Sequence, residues 1–173
     1  NAAFMAQAMG RMTGTIGVCI ATSGPGVTNL VTGLATATTE GDPVLAIGGE
    51  VSTDVYKHCH QSLDAISLME PVTKYAKTAL NAHDLPEVLG NAIRAAEHGR
   101  RGAAFLGLPK DIGLGEINDC EPSDRWGQPI RLGAASADLI AAANKRIGEL
   151  KQPMLLLGLQ TSDPSCSEAL MRF

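Results

Sequence analysis

The stretch from Ile16 to Asn29 has the sequence IGVCIATSGPGVTN. From Ile16 to Ala21 it is short, apolar and bounded by glycine, which is typical of a buried β-strand. The next residues, Thr22 to Gly26, are rich in glycine and proline, and an apolar helical pattern follows them. A strand, a tight turn and a helix in this order predict one unit of an α/β fold. The turn then lies at the carboxyl end of the strand, where such folds bind ligands.

Other segments repeat this alternation along the chain. The strands predicted from short apolar runs are Ile16–Ala21, Pro43–Gly48, Lys74–Ala79, Ala103–Leu108 and Met154–Gly158. Helices are predicted over residues 1–13, from Val27 to Ala35, from Ser62 to just before Pro71, from Leu85 to Ala96 with Asp84 as N-cap, over 134–150 and at the end of the sequence. Strands that alternate with helices favour parallel pairing through right-handed crossovers. The sequence therefore predicts an α/β fold with an open parallel sheet flanked by helices.

The composition narrows the classes of protein to consider. With a net charge of −4, the chain has no electrostatic tendency to bind nucleic acid or an anionic membrane. No apolar run approaches the ~20 residues that span a bilayer, and no signal peptide is visible. The cysteines Cys19, Cys59, Cys120 and Cys166 form no CxxC pair. We therefore expect a soluble protein of the reducing cytosol without a disulfide framework.

The region from Pro109 to Gly133 differs from the rest because prolines and glycines recur throughout it. Such a composition is typical of a linker. We predict one domain over residues 1–111, a linker over 112–133 and the start of a second α/β domain over 134–173. Helical patterns without caps at both ends suggest an internal piece of a larger enzyme subunit, which we expect to be inactive alone.

The turn at Gly24-Pro25-Gly26 is the first candidate site. It begins like a dinucleotide-binding GxGxxG loop, but Asn29 replaces the third glycine and Pro25 lacks the N–H that a pyrophosphate needs. A proline ring packs well against a flat heterocycle, and Asn29 could form hydrogen bonds along the edge of such a ring. The alternatives are an ordinary turn without a ligand and a non-catalytic nucleotide-binding domain in which Glu50 binds a ribose hydroxyl.

The second candidate is the segment from Lys57 to Asp64, with the sequence KHCHQSLD. Its His-Cys-His run could suggest a metal, but adjacent ligands rarely satisfy one tetrahedral ion, and we expect none. A loop that leads into a helix capped by Ser62 explains the segment more simply. If this loop faces the Gly24 turn, His60 and Gln61 become polar groups at the mouth of a site. The carboxylates of Glu40 and Asp42 are expected to be solvated in a turn before a strand.

Several of these motifs together resemble a known family. The run from Ala21 to Asn29 is similar to the TSGPGxxN signature of thiamine-diphosphate-dependent enzymes related to acetolactate synthase. The similarity continues, in order, through Glu40–Pro43, His60–Asp64, Pro71–Tyr75 and Leu108–Asp111. His60 stands where the biosynthetic enzymes carry a phenylalanine, so the chain resembles the catabolic branch.

The resemblance implies roles for particular residues. Residues 1–111 would be most of a pyrimidine-binding domain and residues from 134 the start of the central domain. Pro25 and Asn29 would contact the aminopyrimidine of thiamine diphosphate, while Gly24 and Gly26 would let the backbone approach closely. Gln61 would lie near the cofactor and the reacting groups, with His60 beside it. The activating glutamate of the family is expected two positions before Asn1.

The resemblance also implies a reaction and partners. The enzyme would decarboxylate pyruvate and join the two-carbon unit to a second pyruvate, giving 2-acetolactate and CO2. Magnesium ligands are expected in another domain, none in this chain, and FAD is not expected. The cofactor would lie between subunits, so a homodimer or homotetramer is implied. The remaining alternatives are a thiamine-dependent decarboxylase or carboligase with another acyl donor, and a scaffold that has lost its glutamate.

Overall fold

The computed structural model describes residues 1–55, 59–117, 133–162 and 164–172. Most of the predicted linker falls on residues 118–132, so it lies outside the described residues, as do His58 and Cys120. The chain forms two compact units, Asn1–Gln128 and Pro129–Phe173. Their assignment to a pyrimidine-binding domain and a central domain stays a prediction.

The first unit is built on a four-stranded sheet in which all neighbouring strands are parallel. Its strands are β1 (Gly17–Ala21), β2 (Val44–Glu50), β3 (Tyr75–Thr78) and β4 (Ala103–Pro109), in the spatial order β1-β2-β4-β3. The first four predicted strands are therefore confirmed to within two residues at each end, as is the predicted fold class.

Within the described residues, six helices belong to the first unit and two to the second. They are α1 (Ala2–Thr13), α2 (Pro25–Thr28), α3 (Val31–Glu40), α4 (Ala65–Met69), α5 (Leu85–Glu97) and α6 (Lys110–Gly113), then α7 (Ala137–Gly148) and α8 (Pro164–Arg172). Short 3₁₀ turns cover Glu70–Val72 and Leu159–Ser162. Within the described ranges, no helix is long and apolar enough to cross a membrane.

Successive side chains of each strand point to opposite faces of the sheet, so the hydrophobic core consists of two clusters, one on each face. On one face, α1, α3 and α4 pack against a cluster that contains the fully buried Leu34, Met69 and Phe105. On the other face, α5 packs with Ala92 and Ala96 against β2 and β4. Cys19 belongs to the first cluster as predicted, and burial raises the pKa of its thiol to about 11.

Three predictions about local structure are wrong. Ser62 does not cap a helix, because α4 begins at Ala65 and the side chain of Asp64 accepts from the backbone N–H of Ser67 at 3.0 Å. The expected single helix from Val27 to Ala35 is broken at Asn29. Residues Met154–Gly158 are not a strand. Among the described residues of the second unit there is no strand with which they could pair.

Asp42 is also buried rather than solvated, with 5% of its surface exposed. Its carboxylate accepts hydrogen bonds from Gln7 at 2.8 Å and from two nitrogens of Arg11 at 2.8 and 3.0 Å. Both donors lie on α1, and Asp42 lies two residues before the first residue of β2. The acidic turn therefore fixes the first helix against the sheet, while Glu40 makes only an exposed ion pair with the same arginine.

Candidate functional site

The site lies at the carboxyl edge of the sheet, where β1 and β2 end side by side. The chain leaves β1 through Thr22, Ser23 and Gly24 into the short helix α2. It leaves β2 through a longer loop that ends where α4 begins. Adjacent parallel strands bring these two loops together, although they are far apart in the sequence.

Gly24 shapes the first loop. Its backbone has φ 63° and ψ −117°, a conformation that only glycine adopts easily. A Cβ at this position would lie 2.9 Å from Cα of Gln61, so glycine also lets the second loop approach. Pro25 follows as the first residue of α2, where its missing N–H is no loss, and its ring is exposed.

Gln61 is the central residue of the second loop. Its φ is 66°, and it is the one non-glycine residue with a positive φ in the described part of the chain. This conformation costs roughly 1–2 kcal/mol for a residue with a side chain, so the surrounding contacts must hold it. One such contact is on the side chain, where the hydroxyl of Ser23 donates to Oε1 of Gln61 at 3.1 Å.

The two loops enclose an open cavity of about 320 Å³. The residues that line it are Gly24, Pro25, Thr28, His60, Gln61, Ser62 and Leu63. Four of the predicted site residues thus lie together, while Gly26 and Asn29 do not line this cavity. Asn29 is exposed at the C-cap of α2, and a Cβ on Gly26 would meet the methyl group of Thr22 at 2.7 Å.

Sequence reasoning missed other residues of the site. Thr28 lies one turn along α2 from Pro25, and helical spacing could have placed it on the same side. Ser23 is a second such residue, in the first loop. Its contact with Gln61 joins positions 38 residues apart, and nothing in the local sequence predicts such a contact.

The lining fits a flat, uncharged heteroaromatic ring with polar edges. It offers a proline ring, an imidazole, hydroxyl groups and one amide, and the described lining contains no lysine or arginine. No cluster of three or more histidine, cysteine or acidic residues that could hold a metal occurs in the described ranges. A flat heteroaromatic ring such as an aminopyrimidine therefore fits the described lining.

Glu50 lies at the end of β2, at the same edge of the sheet. Its Oε1 accepts a hydrogen bond from the hydroxyl of Thr78, on β3, at 2.9 Å. To reach Thr78, the side chain of Glu50 passes over Gly107 of β4, and a Cβ built on Gly107 would lie only 2.1 Å from Oε1 of Glu50. Burial raises the pKa of Glu50, the charge of Asp64 adds to this, and the bond from Thr78 opposes it. The carboxyl is used to connect strands, which argues against the alternative that it binds a ribose.

The loop after β2 has a second anchor at Thr53. Its backbone N–H donates to Asp111 at 3.1 Å, and its hydroxyl also donates to that carboxylate. These hydrogen bonds, with the side-chain one strongest, lower the pKa of Asp111. Asp111 belongs to α6, directly after β4, so the loop that carries Gln61 is tied to a neighbouring strand end.

Comparisons with known proteins agree with this geometry. Residues 1–68 match the family described as thiamine pyrophosphate enzyme, N-terminal TPP binding domain. The catabolic acetolactate synthase of Raoultella terrigena is 48% identical over 174 residues, covering 99% of this chain and 31% of that protein. The acetolactate synthase of Bacillus subtilis (strain 168) is 44% identical over 173 residues, covering 99% of this chain and 30% of that protein.

An acetolactate synthase large subunit from Cyanidium caldarium is 37% identical over 171 residues, covering 91% of this chain and 28% of that protein. The chain thus spans less than a third of the length of each of these curated relatives. The matched family model covers both the Gly24 turn and the Gln61 loop, which together form the cavity. Residues 1–68 therefore match the N-terminal binding domain of thiamine pyrophosphate enzymes, and the chain is similar to acetolactate synthases along nearly its whole length.

Proposed function

We propose that this chain is part of a catabolic acetolactate synthase. The complete enzyme decarboxylates pyruvate and joins the two-carbon unit to a second pyruvate, giving 2-acetolactate and CO2. The observation that carries this proposal is the cavity in which the Pro25 turn meets the Gln61 loop. The similarity to two acetolactate synthases along 99% of the chain supports the choice of reaction.

In this proposal the chain holds the aminopyrimidine end of the cofactor. Pro25 provides an exposed ring for the flat face of the heterocycle in the cavity. Asn29 lies outside the cavity lining, and its contact with the edge of the ring stays a prediction. When bound, thiamine diphosphate supplies the nucleophilic carbon that cleaves and transfers the acyl unit. Gln61 and His60, at the mouth of the cavity, face the reacting groups.

The remaining parts of the site are proposed to come from outside this chain. In this proposal, as the resemblance implies, the magnesium ligands and the diphosphate contacts belong to another domain, and we propose a homodimer or homotetramer in which the site lies between subunits. FAD is not part of this site in the proposal.

A binding titration tests the cofactor assignment directly. We expect the complete enzyme with Mg²⁺ to bind thiamine diphosphate, and Pro25→Ala to weaken that binding while the far-UV spectrum stays unchanged. NAD serves as the comparison ligand, since a nucleotide-binding domain would bind it instead. Unchanged affinity for thiamine diphosphate in Pro25→Ala would exclude Pro25 as a contact with the ring.

An activity assay tests the reaction. We expect the complete enzyme to form acetolactate from pyruvate alone, and Gln61→Ala to lose turnover out of proportion to cofactor affinity. Release of CO2 without acetolactate would instead indicate a decarboxylase of the same family. Binding of the cofactor with neither product would indicate another acyl donor.

A further inference from the structure

Ser23 contacts the oxygen end of the Gln61 amide. The amide oxygen can only accept, so the contact at 3.1 Å is a hydrogen bond that the Ser23 hydroxyl donates to Oε1. Within the described residues, none accepts a hydrogen bond from Nε2 of Gln61. The side chain lines the cavity, so the NH₂ group is the end left available to a ligand.

The backbone of Gln61 packs against Gly24, the residue next to Ser23. Gly24 approaches so closely that a Cβ there would lie 2.9 Å from Cα and 3.0 Å from the carbonyl oxygen of Gln61. The left-handed backbone of Gln61, at φ 66°, is retained by this packing. Adjacent residues of one turn, Ser23 and Gly24, thus fix both the side chain and the backbone of Gln61.

We infer that Ser23 is a positioning residue that makes Gln61 a hydrogen-bond donor toward an anionic oxygen of the substrate. This inference rests on the proposed function, in which Gln61 faces a 2-oxo acid. A carboxylate, or an oxyanion that develops during reaction, is stabilised by an N–H donor and repelled by an amide oxygen. Without the Ser23 hydroxyl, the amide can rotate and present its oxygen instead.

A double-mutant cycle in the complete enzyme tests this role. We expect Ser23→Ala to lower kcat/KM for pyruvate by about 3- to 10-fold, the usual worth of one hydrogen bond, while the Kd for thiamine diphosphate stays within about twofold. In the Gln61→Ala background, the same substitution should cause no further loss. Additive losses, or a matching loss of cofactor affinity, would overturn the inference.

Ser67→Ala is the matched control for the loss of a serine hydroxyl. Ser67 donates from its hydroxyl to Asp64 at 2.7 Å, in the same region but outside the cavity lining. We expect kcat/KM to stay at the wild-type value in this variant. A loss as large as that in Ser23→Ala would mean that any hydroxyl in this region has the same effect, and would also overturn the inference.

A spectroscopic measurement tests the amide orientation without turnover. In ¹⁵N spectra of the complete enzyme labelled at glutamine, we expect the two side-chain N–H signals of Gln61, assigned with Gln61→Ala, to shift in Ser23→Ala and to show faster motion. Unchanged signals would contradict the hydrogen bond itself. If the wild-type enzyme formed no acetolactate while these signals shifted, the proposed function would fail and the positioning contact would stand.

Discussion

At the scale of single residues, the backbone at Gly24 controls whether the two loops of the site can meet. Gly24 combines a positive φ with the close approach of Gln61, whereas Gly14, Gly41 and Gly99 have a positive φ but no atom closer than 3.7 Å to a Cβ built there. Gly14, for example, ends α1 at φ 70° and ψ 3°, and a Cβ built there meets no described atom within 4 Å. The pair thus compares a left-handed glycine in open space with a glycine whose conformation and close contact both exclude a side chain.

We predict that Gly24→Ala destabilises the chain more than Gly14→Ala does. The Gly14 variant should lose about 1–2 kcal/mol of unfolding free energy, because alanine in a left-handed conformation costs that much. The Gly24 variant should lose more, since its methyl group also displaces Gln61. Urea unfolding of both variants measures the difference, and equal losses would show that the contact with Gln61 carries no energy.

Glu50 gives a prediction about pH. Burial raises its pKa, so the folded chain binds this proton more tightly than the unfolded chain does. The carboxyl therefore favours the folded state at low pH, and this contribution is lost as the pH rises from the unfolded pKa through the folded pKa. At neutral pH the charged, half-buried carboxylate lowers the unfolding free energy.

Glu50→Gln should accordingly raise the unfolding free energy at pH 7, with a smaller gain at pH 4. The amide oxygen can still accept from Thr78, so the link between strands is kept. Glu116→Gln, the same change at an exposed position, serves as the control. Urea unfolding at pH 4 and pH 7 measures the gain in unfolding free energy. An equal gain at the two pH values would contradict the argument from burial.

The sequence predicted those residues of the site whose behaviour depends on local chemistry. A proline that follows a glycine after an apolar strand indicates a tight turn in which the proline ring is exposed. In the structure, Pro25 lies in such a turn, and its ring is exposed. The contact of Ser23 with Gln61 and the burial of Asp42 depend on distant partners, which neither composition nor spacing reveals. The expected contact of Asn29 with a pyrimidine stays a prediction.

At the scale of elements, the strand predictions are confirmed where an apolar segment has a neighbouring strand with which to form hydrogen bonds. The run at Met154–Gly158 is as apolar as the others, but a strand exists only when another backbone completes its hydrogen bonds. The predicted helix from Val27 failed for another reason. The N–H of Leu30 donates to the carbonyl oxygen of Val27, three residues earlier, at 3.0 Å. This 3₁₀-type bond interrupts the α-helical hydrogen-bond pattern before α3 begins.

The junction between α1 and β2 gives a prediction at this scale. Asp42→Ala should lower the unfolding free energy by about 2–3 kcal/mol, because Gln7 and Arg11 lose a buried charged acceptor. Glu40→Ala, which removes an exposed partner of the same arginine, should lower it by less than about 1 kcal/mol. Thermal and urea unfolding of the two variants compare them directly, and equal effects would mean that the burial of Asp42 adds nothing.

At the scale of the whole molecule, the sheet is covered unevenly. Val18 and Ile20 pair with Leu45 and Ile47, so they point to the same face as α5. That helix packs against β2, β3 and β4, and the two side chains on β1 remain 54% and 70% exposed. An apolar edge strand of this kind tends to associate with other surfaces.

We predict that the 173-residue chain self-associates through this strand. Sedimentation velocity at rising concentration should show an increasing mean mass, and the double variant Val18→Thr, Ile20→Thr should reduce it. Threonine keeps the preference for a strand, so the unfolding free energy should change little. Leu80→Thr is the control, because Leu80 is 76% exposed but lies after β3, away from this edge. If the double variant sedimented like the wild type while Leu80→Thr did not, the association would depend on another apolar surface, and β1 would be excluded as its cause.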